Sequence, residues 1–336
     1  MTYRSSDVHA QPNRRKMLEA LGLLSLGAAL PQSSAAQSPW PSKSIRFVVP
    51  FAPGGSSEIV ARSTAAELSN TLGKSVYVDN KPGAAGNIAM QEVARADDQH
   101  TLILGHLGTL AVNPYIFPKL PYDPAKDFKP VSLLAKVPSL YVINPAVPAK
   151  NLKEFIAYVK SKPGQLSYGS AGNGSAGHLA FEYLKMTSDI FMLHVPYRGT
   201  GPMMTDLLAG RVEASAIGAA AVIPFIKSGK LRCIATGSSM RLPQLPDVPT
   251  VAEQGFPGFE MTQWYGMLAP ANLQPDHLSH LSAETMKAVK APAAMTRLTG
   301  DAAEPIGDTP EQFAKFIAAE QARWKKVIAR AQIKPD

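Results

Sequence analysis

Three short stretches of this 336-residue chain join glycines to hydroxyl side chains where an apolar run gives way to a helical pattern. They are Phe51-Ala52-Pro53-Gly54-Gly55-Ser56-Ser57, Ala171-Gly172-Asn173-Gly174-Ser175-Ala176-Gly177 (preceded by Ser170), and Pro196-Tyr197-Arg198-Gly199-Thr200-Gly201-Pro202. Each pairs pliant backbone with the first-turn N–H groups of a helix, which have no acceptor inside that helix. Such termini favour an anion, and in open α/β sheets the C-terminal strand ends form the ligand crevice. Glycine and serine at one such turn are ordinary turn and capping chemistry. Three junctions spread over two lobes point instead to a shared cleft. The chemistry expected is capture of an anionic solute, with Arg198 the one basic side chain within these loops.

Bond-making chemistry is less well supported. Gly172-x-Gly174-x-x-Gly177 has the dinucleotide spacing and its strand-to-helix context, but the next strand, ending His194–Tyr197, supplies no acidic residue for a ribose. Asn173-Gly174-Ser175-Ala176-Gly177 lies one residue from a nucleophile elbow, so a serine hydrolase using Ser175 is the enzymatic alternative. His178, three residues further along the same helix, reads as packing or capping, and His106 and His194 stand in no recognisable triad order. His277 and His280 have helical spacing but no third metal ligand nearby. The chain is therefore read as a binding protein and not an enzyme, with neither cofactor nor metal.

At the N-terminus, Arg14, Arg15 and Lys16 precede an apolar stretch, Ala20 to Leu30, and then Ser34-Ala35-Ala36. That is a signal-peptide layout, too short to span a bilayer as a helix. Residues 1–36 are assigned to it, with cleavage after Ala36 and a periplasmic destination. Asn13-Arg14-Arg15-Lys16-Met17-Leu18 approximates a twin-arginine signal, so both general secretion and twin-arginine export fit. Removing residues 1–36 takes four basic and two acidic residues from the 34 Lys+Arg and 26 Asp+Glu, leaving a net charge of +6. Moderate positive charge suits anionic solutes. Nucleic acid is not indicated, because no basic block or basic stripe interleaved with aromatics follows the signal. The only cysteine, Cys233, reads as a small buried apolar residue.

The elements that must position the junctions alternate between short apolar runs and amphipathic ones. Extended runs at Ile45–Ala52, Ser75–Asp79 and Thr101–Leu107 enclose helices at Ser56–Leu72 and Ala85–Ala96, a βαβαβ unit implying a parallel sheet. A second alternation runs from the helix Leu152–Lys160 to the strand Leu231–Thr236. Between them lies Val131–Asn144, an extended run interrupted by Pro138 and read as the first interdomain connection. A short helix at Val251–Gly255, a strand Met261–Ala269, and helices Pro275–Lys290 and Pro310–Ala331 then return the chain. Phe313, Phe316, Ile317, Trp324, Val327 and Ile328 make one apolar stripe on the last helix. The fold class expected is α/β with two lobes, each a mostly parallel sheet flanked by helices. Lobe 1 comprises residues 37–137 and 259–336, and lobe 2 residues 138–258.

Several stretches resemble the receptors of tripartite tricarboxylate transporters, also called Bug proteins. They are Ile45 to Gly55 (IRFVVPFAPGG), Asp79 to Asn87 (DNKPGAAGN), Leu120-Pro121-Tyr122-Asp123-Pro124 with Lys126-Asp127-Phe128, His194-Val195-Pro196-Tyr197-Arg198-Gly199, and Leu245 to Thr250 (LPDVPT). They follow the family's order across about residues 40–336. The resemblance implies a type II periplasmic-binding-protein fold of Venus-flytrap form, a monomer that closes on a small organic carboxylate and passes it to integral-membrane transporter subunits. Presentation to a signalling partner is the alternative. Carried over position by position, it implicates Ala52, Gly54, Gly55 and Ser57, with Gly108 and Thr109, and opposite them Ser170, Gly174 and Tyr197 to Gly199. Phe51, Ser175 and Arg198 complete the candidate site. Two departures stand out: Glu58 where the family usually has aspartate, and Ala216-Ile217 where it often has Phe-Asp, which removes a partner for an ammonium group.

Overall fold

The computed structural model describes residues 40–331. The segment read as a signal peptide, residues 1–36, lies outside the described residues. Among them, no helix is long and apolar enough to cross a membrane.

The first βαβαβ unit forms as expected. Strands β1 (Ile45–Val49), β2 (Val76–Asn80) and β3 (Thr101–His106) pair in parallel with β1 at the centre. Along β1, Ile45, Phe47 and Val49 pack into one core and Val48 into another, so both faces of the sheet are covered. Helix α1 (Ser56–Leu72) follows β1, and α2 (Asn87–Ala94) follows β2. The second helix starts later than its pattern suggests, because Ala84, Ala85 and Gly86 hold positive φ and make a tight turn first. After β3 the chain makes one π-helical turn, Gly108–Val112, and the short α3 (Asn113–Ile116).

Strand β4 (Phe128–Ile143) is the spine of the molecule. Phe128 to Pro138 pair antiparallel with β9 (Thr262–Pro270). From Ser139 to Ile143 the same strand pairs instead with β7 (Ala214–Gly218), and from Leu140 to Ile143 also with β8 (Arg232–Thr236). The partner switch falls at Pro138, whose missing N–H interrupts the ladder there. Parallel pairs then join β5 (Ser167–Ser170) to β7 and to β6 (Leu193–Pro196). The sheet is mixed: parallel toward its outer edges, antiparallel where β4 and β9 carry the chain between the two halves. The short β10 (Glu304–Pro305) adds to β4.

Helices α4 (Leu152–Ser161), α5 (Ala176–Ser188), α6 (Thr200–Leu208) and α7 (Ala219–Lys227) belong to the second half. Helices α8 (Pro275–Val289), α9 (Pro292–Gly300) and α10 (Pro310–Ala331) follow β9. On α10, Phe313, Trp324 and Ile328 are buried and Phe316, Ile317 and Val327 pack against them, so the stripe is core. Two expectations change. Val251–Gly255 is a single reciprocally capped turn, not a helix: Glu253 N–H donates to Thr250 Oγ1 and Thr250 N–H to the Glu253 carboxylate. Gly255 in a left-handed conformation and Pro257 then stop it. Helix α9, framed by Pro292 and Gly300, was missing from the sequence reading. Cys233 is buried, and burial pushes its thiol up to about 12, as an apolar core residue requires. His277 and His280 pack around Trp40, His277 stacking on the indole at 5.0 Å.

Candidate functional site

The loops leaving β1 and β3 meet those leaving β5, β6 and β7. The meeting is backbone on backbone. A Cβ placed on Gly108 would lie 2.2 Å from the Gly174 carbonyl oxygen. One on Gly199 would lie 2.6 Å from Ala52 Cβ, one on Gly201 2.9 Å from the Pro53 carbonyl, and one on Gly55 2.8 Å from Thr200 Oγ1. Glycine is required along this seam for close approach rather than for turn geometry alone.

Beneath the seam sits a cavity of about 40 Å³ lined by Phe51, Ser56, Ser57, His106, Ser175 and Ala176 among others. Ser56 and Ser57 open α1, Ala176 and Gly177 open α5, Thr200 opens α6, and Gly218 precedes α7. Four helix N-termini therefore converge on one small space whose lining, among the described residues, holds no Asp, Glu, Lys or Arg. A wider cavity of about 450 Å³ adjoins it, sharing Phe51 and Ala171, and is lined by Ala84 to Gly86, Gly172, Asn173, Tyr197 and exposed Arg198. The inner space has room for roughly three water-sized groups, the bulk of one carboxylate. The outer one accommodates the remainder of a small molecule.

The motifs that carried the resemblance turn out to hold these loops. Asn80 Nδ2 donates to the Phe51 carbonyl at 2.9 Å. Asp79 and Glu92 both accept from Arg46, and Lys81 donates to Glu92. Tyr122 O–H donates to the Thr109 carbonyl at 2.8 Å and lies 3.2 Å from Asn87 Oδ1, which accepts from buried Asn113. Burial raises the Tyr122 hydroxyl well above its ordinary range, so it remains a donor.

Each candidate residue has a definite place. Phe51, Ser57 and Ser175 line the inner cavity, and Phe51, Tyr197 and Arg198 the outer. Gly54 (φ +97°) faces Gly201, and its N–H donates to Glu58 Oε2 at 2.7 Å while Glu58 also pairs with Arg62. Glu58 thus folds back onto the loop, away from the cavity. Ser170 Oγ accepts from Gly172 N–H and lies 2.7 Å from His194 Nε2, tying the β5 loop to β6. Ser175 Oγ accepts from His178 N–H, a helix cap, so in this structure the hydroxyl weighed as a nucleophile serves α5. Tyr197 O–H donates to Asp206, which also accepts from Arg211. Loss of solvation and that carboxylate push Tyr197 up to about 12.

Other lining residues were not singled out from sequence as ligand contacts: Ser56, Thr200, Gln263, Tyr265 and His106. Gln263 and Tyr265 come from β9, Tyr265 O–H donating to Gln263 Oε1 at 2.6 Å. Their alternation on β9 looks like core patterning, and only the pairing of β9 with β3 brings them to the site. Ala216 and Ile217 also line the inner cavity, so the position where an aspartate was noted as missing is within the pocket.

A two-lobed α/β chain whose strand-to-helix loops close over a cleft has the architecture of solute-binding proteins, and comparison with known proteins gives the same class. Residues 60–333 match the model for the tripartite tricarboxylate transporter family receptor. BugD, a periplasmic binding protein, is 33% identical with a TM-score of 0.85, covering 88% of this chain and 99% of that one. A Rhodopseudomonas palustris protein solved with adipate is 35% identical, TM-score 0.85, covering 88% and 100%. MatC from the same organism, with bound malate, is 36% identical, TM-score 0.82, covering 86% and 100%. The chain belongs to the tripartite tricarboxylate transporter receptor family, which includes the Bug proteins.

Proposed function

We propose that this protein is an exported receptor that closes around a small dicarboxylate or related organic acid and delivers it to the membrane subunits of a tripartite tricarboxylate-type transporter. In this reading residues 1–36 direct export, and the chain works as a monomer. The lobes divide at 137/138 and 258/259, and the junction residues from Phe51 to Gly199 hold the ligand. The observation that carries the proposal is the inner cavity, where four helix N-termini and several hydroxyls surround a space sized for one carboxylate with no fixed charge in its lining. The solutes of two relatives, adipate and malate, are dicarboxylates.

Magnitudes decide what closure must add. A helix N-terminus contributes about 0.3–1 kcal/mol, up to about 2 when partly buried, while micromolar binding needs about 8 kcal/mol. Dipoles alone fall short, so desolvated hydrogen bonds formed on closure supply the remainder. The lack of any carboxylate in the described inner lining disfavours amino acids, whose ammonium group has no charged partner there. A thermal-shift screen of the mature protein against organic acids and amino acids tests the proposal. A ligand at 100 times its Kd stabilises the folded state by about 2.7 kcal/mol. Stabilisation by amino acids or sugars with none by carboxylates refutes it.

A further inference from the structure

His106 ends β3 and lines the inner cavity. Its imidazole is held in place: Nδ1 accepts the Gly108 N–H at 2.9 Å, and the Phe51 ring lies 4.7 Å away. Its backbone is held as well, its N–H donating to Thr109 Oγ1, which donates back to the His106 carbonyl. Because Nδ1 accepts, the proton of the neutral ring sits on Nε2. The residue is 1% exposed, and among the described residues no acceptor meets Nε2. Buried donors without an acceptor are rare in folded proteins, and the residue that carries this one lines the cavity where helix N-termini converge. Burial lowers the imidazole to about 3, so it is uncharged at neutral pH.

We infer that His106 Nε2–H is a ligand donor, contributing a fixed, uncharged hydrogen bond to a carboxylate oxygen of the solute and selecting a carboxylate end over an amide end. The inference rests on the carboxylate-receptor reading above and assigns a side chain within it. The selectivity follows from donor arithmetic. First-turn amides and Nε2–H all donate, a carboxylate accepts from all of them, and an amide NH₂ turned toward them leaves donors facing donors. Among the described residues, no Asp, Glu, Lys or Arg lines the cavity around His106. Tyr265, its partner across the β3–β9 ladder, is the other titratable lining group and stays protonated through burial.

Two variants separate the two ends of the ring. His106→Asn keeps an acceptor for Gly108 N–H, and its short NH₂ group does not reach the Nε2 position. His106→Gln places an N–H₂ near the Nε2 position and gives up the Gly108 contact. Titration calorimetry of the mature protein with malate, adipate and citrate is expected to show about a tenfold to hundredfold loss for His106→Asn. His106→Gln should retain more of the wild-type affinity. The melting temperature of unliganded His106→Asn reports whether the fold survives. Affinity of His106→Asn within twofold of wild type overturns the assignment while leaving the carboxylate reading standing. Failure of the wild type to bind any organic acid, these three and those of the thermal-shift screen alike, overturns that reading and the inference with it. If His106→Asn does not fold, ring ¹⁵N spectra of the wild type decide: a proton on Nε2 whose resonance moves on ligand addition supports the inference, and a proton on Nδ1, or no movement, overturns it.

Discussion

The two cavities of the cleft differ in kind. The inner one is small, buried and built from groups that cannot move far: first-turn amides, capped serines, and an imidazole pinned by its own loop. The outer one is ten times larger, opens toward solvent, and carries its charge on the exposed Arg198. In the proposed reading the inner space recognises what organic acids share. In the same reading the outer space, walled largely by Gly, Ala and Pro with Phe117, Tyr197 and Arg198 among the larger side chains, holds the part of the solute that varies.

Substitution at the seam that seals the inner cavity gives the largest expected effect. Gly108→Ala drives a methyl to 2.2 Å from the Gly174 carbonyl and 2.4 Å from His106 Cε1. The first neighbour is backbone from the opposite half and cannot step aside. Overpacking of this kind costs about 1–3 kcal/mol, expected to lower affinity for any bound acid by about tenfold to a hundredfold. If the open form relieves the clash, the unliganded melting temperature changes little. Calorimetry with unchanged affinity breaks the claim that the seam closes on the ligand.

The inner cavity also imposes a pH signature in the acid range. His106 titrates near 6.5 when unfolded and near 3 when folded, so between those values the unfolded chain binds more protons. Its contribution to stability is present in full above pH 6.5 and is lost as pH falls toward 3, at up to about 1.4 kcal/mol per pH unit. Replacing His106 with Gln is expected to flatten the stability curve over that window in chemical denaturation. An identical slope for wild type and variant contradicts the buried neutral imidazole.

Sequence carried the elements and the junction loops far better than the contents of the inner cavity. Alternating apolar runs and the glycine-serine junctions are local signals, and the helix Ser56–Leu72 and the strand-to-helix turns around Gly54 and Gly174 follow from them directly. His106 was visible only as a histidine in no triad order. Its role depends on a hydrogen bond to Gly108 inside a π-helical turn, a geometry that no short pattern around Gly105-His106-Leu107-Gly108 announces. Gln263 and Tyr265 are about 160 residues from His106 in sequence and reach it through an antiparallel pairing set by the whole sheet. Glu58 illustrates the reverse: its departure from the family pattern is plain in the sequence, while its contacts, accepting from Gly54 N–H and from Arg62, are visible only in the structure.

The smallest expected effect is the sharpest test of the division between the two spaces. Arg198 is exposed, so an ion pair from it to a second carboxylate in the outer cavity is screened by water and falls in the range of surface pairs, about 0.2–1 kcal/mol. Arg198→Gln is therefore expected to weaken a dicarboxylate by no more than about fivefold. It should leave a monocarboxylate of the same chain length untouched, since the carboxylate in the inner cavity does not reach the rim. Added salt should erase the difference for the dicarboxylate. Competition titrations with the paired acids at low and high salt measure both effects. Equal weakening of mono- and dicarboxylate places Arg198 on the shared carboxylate and collapses the distinction between a common inner cavity and a selective outer one.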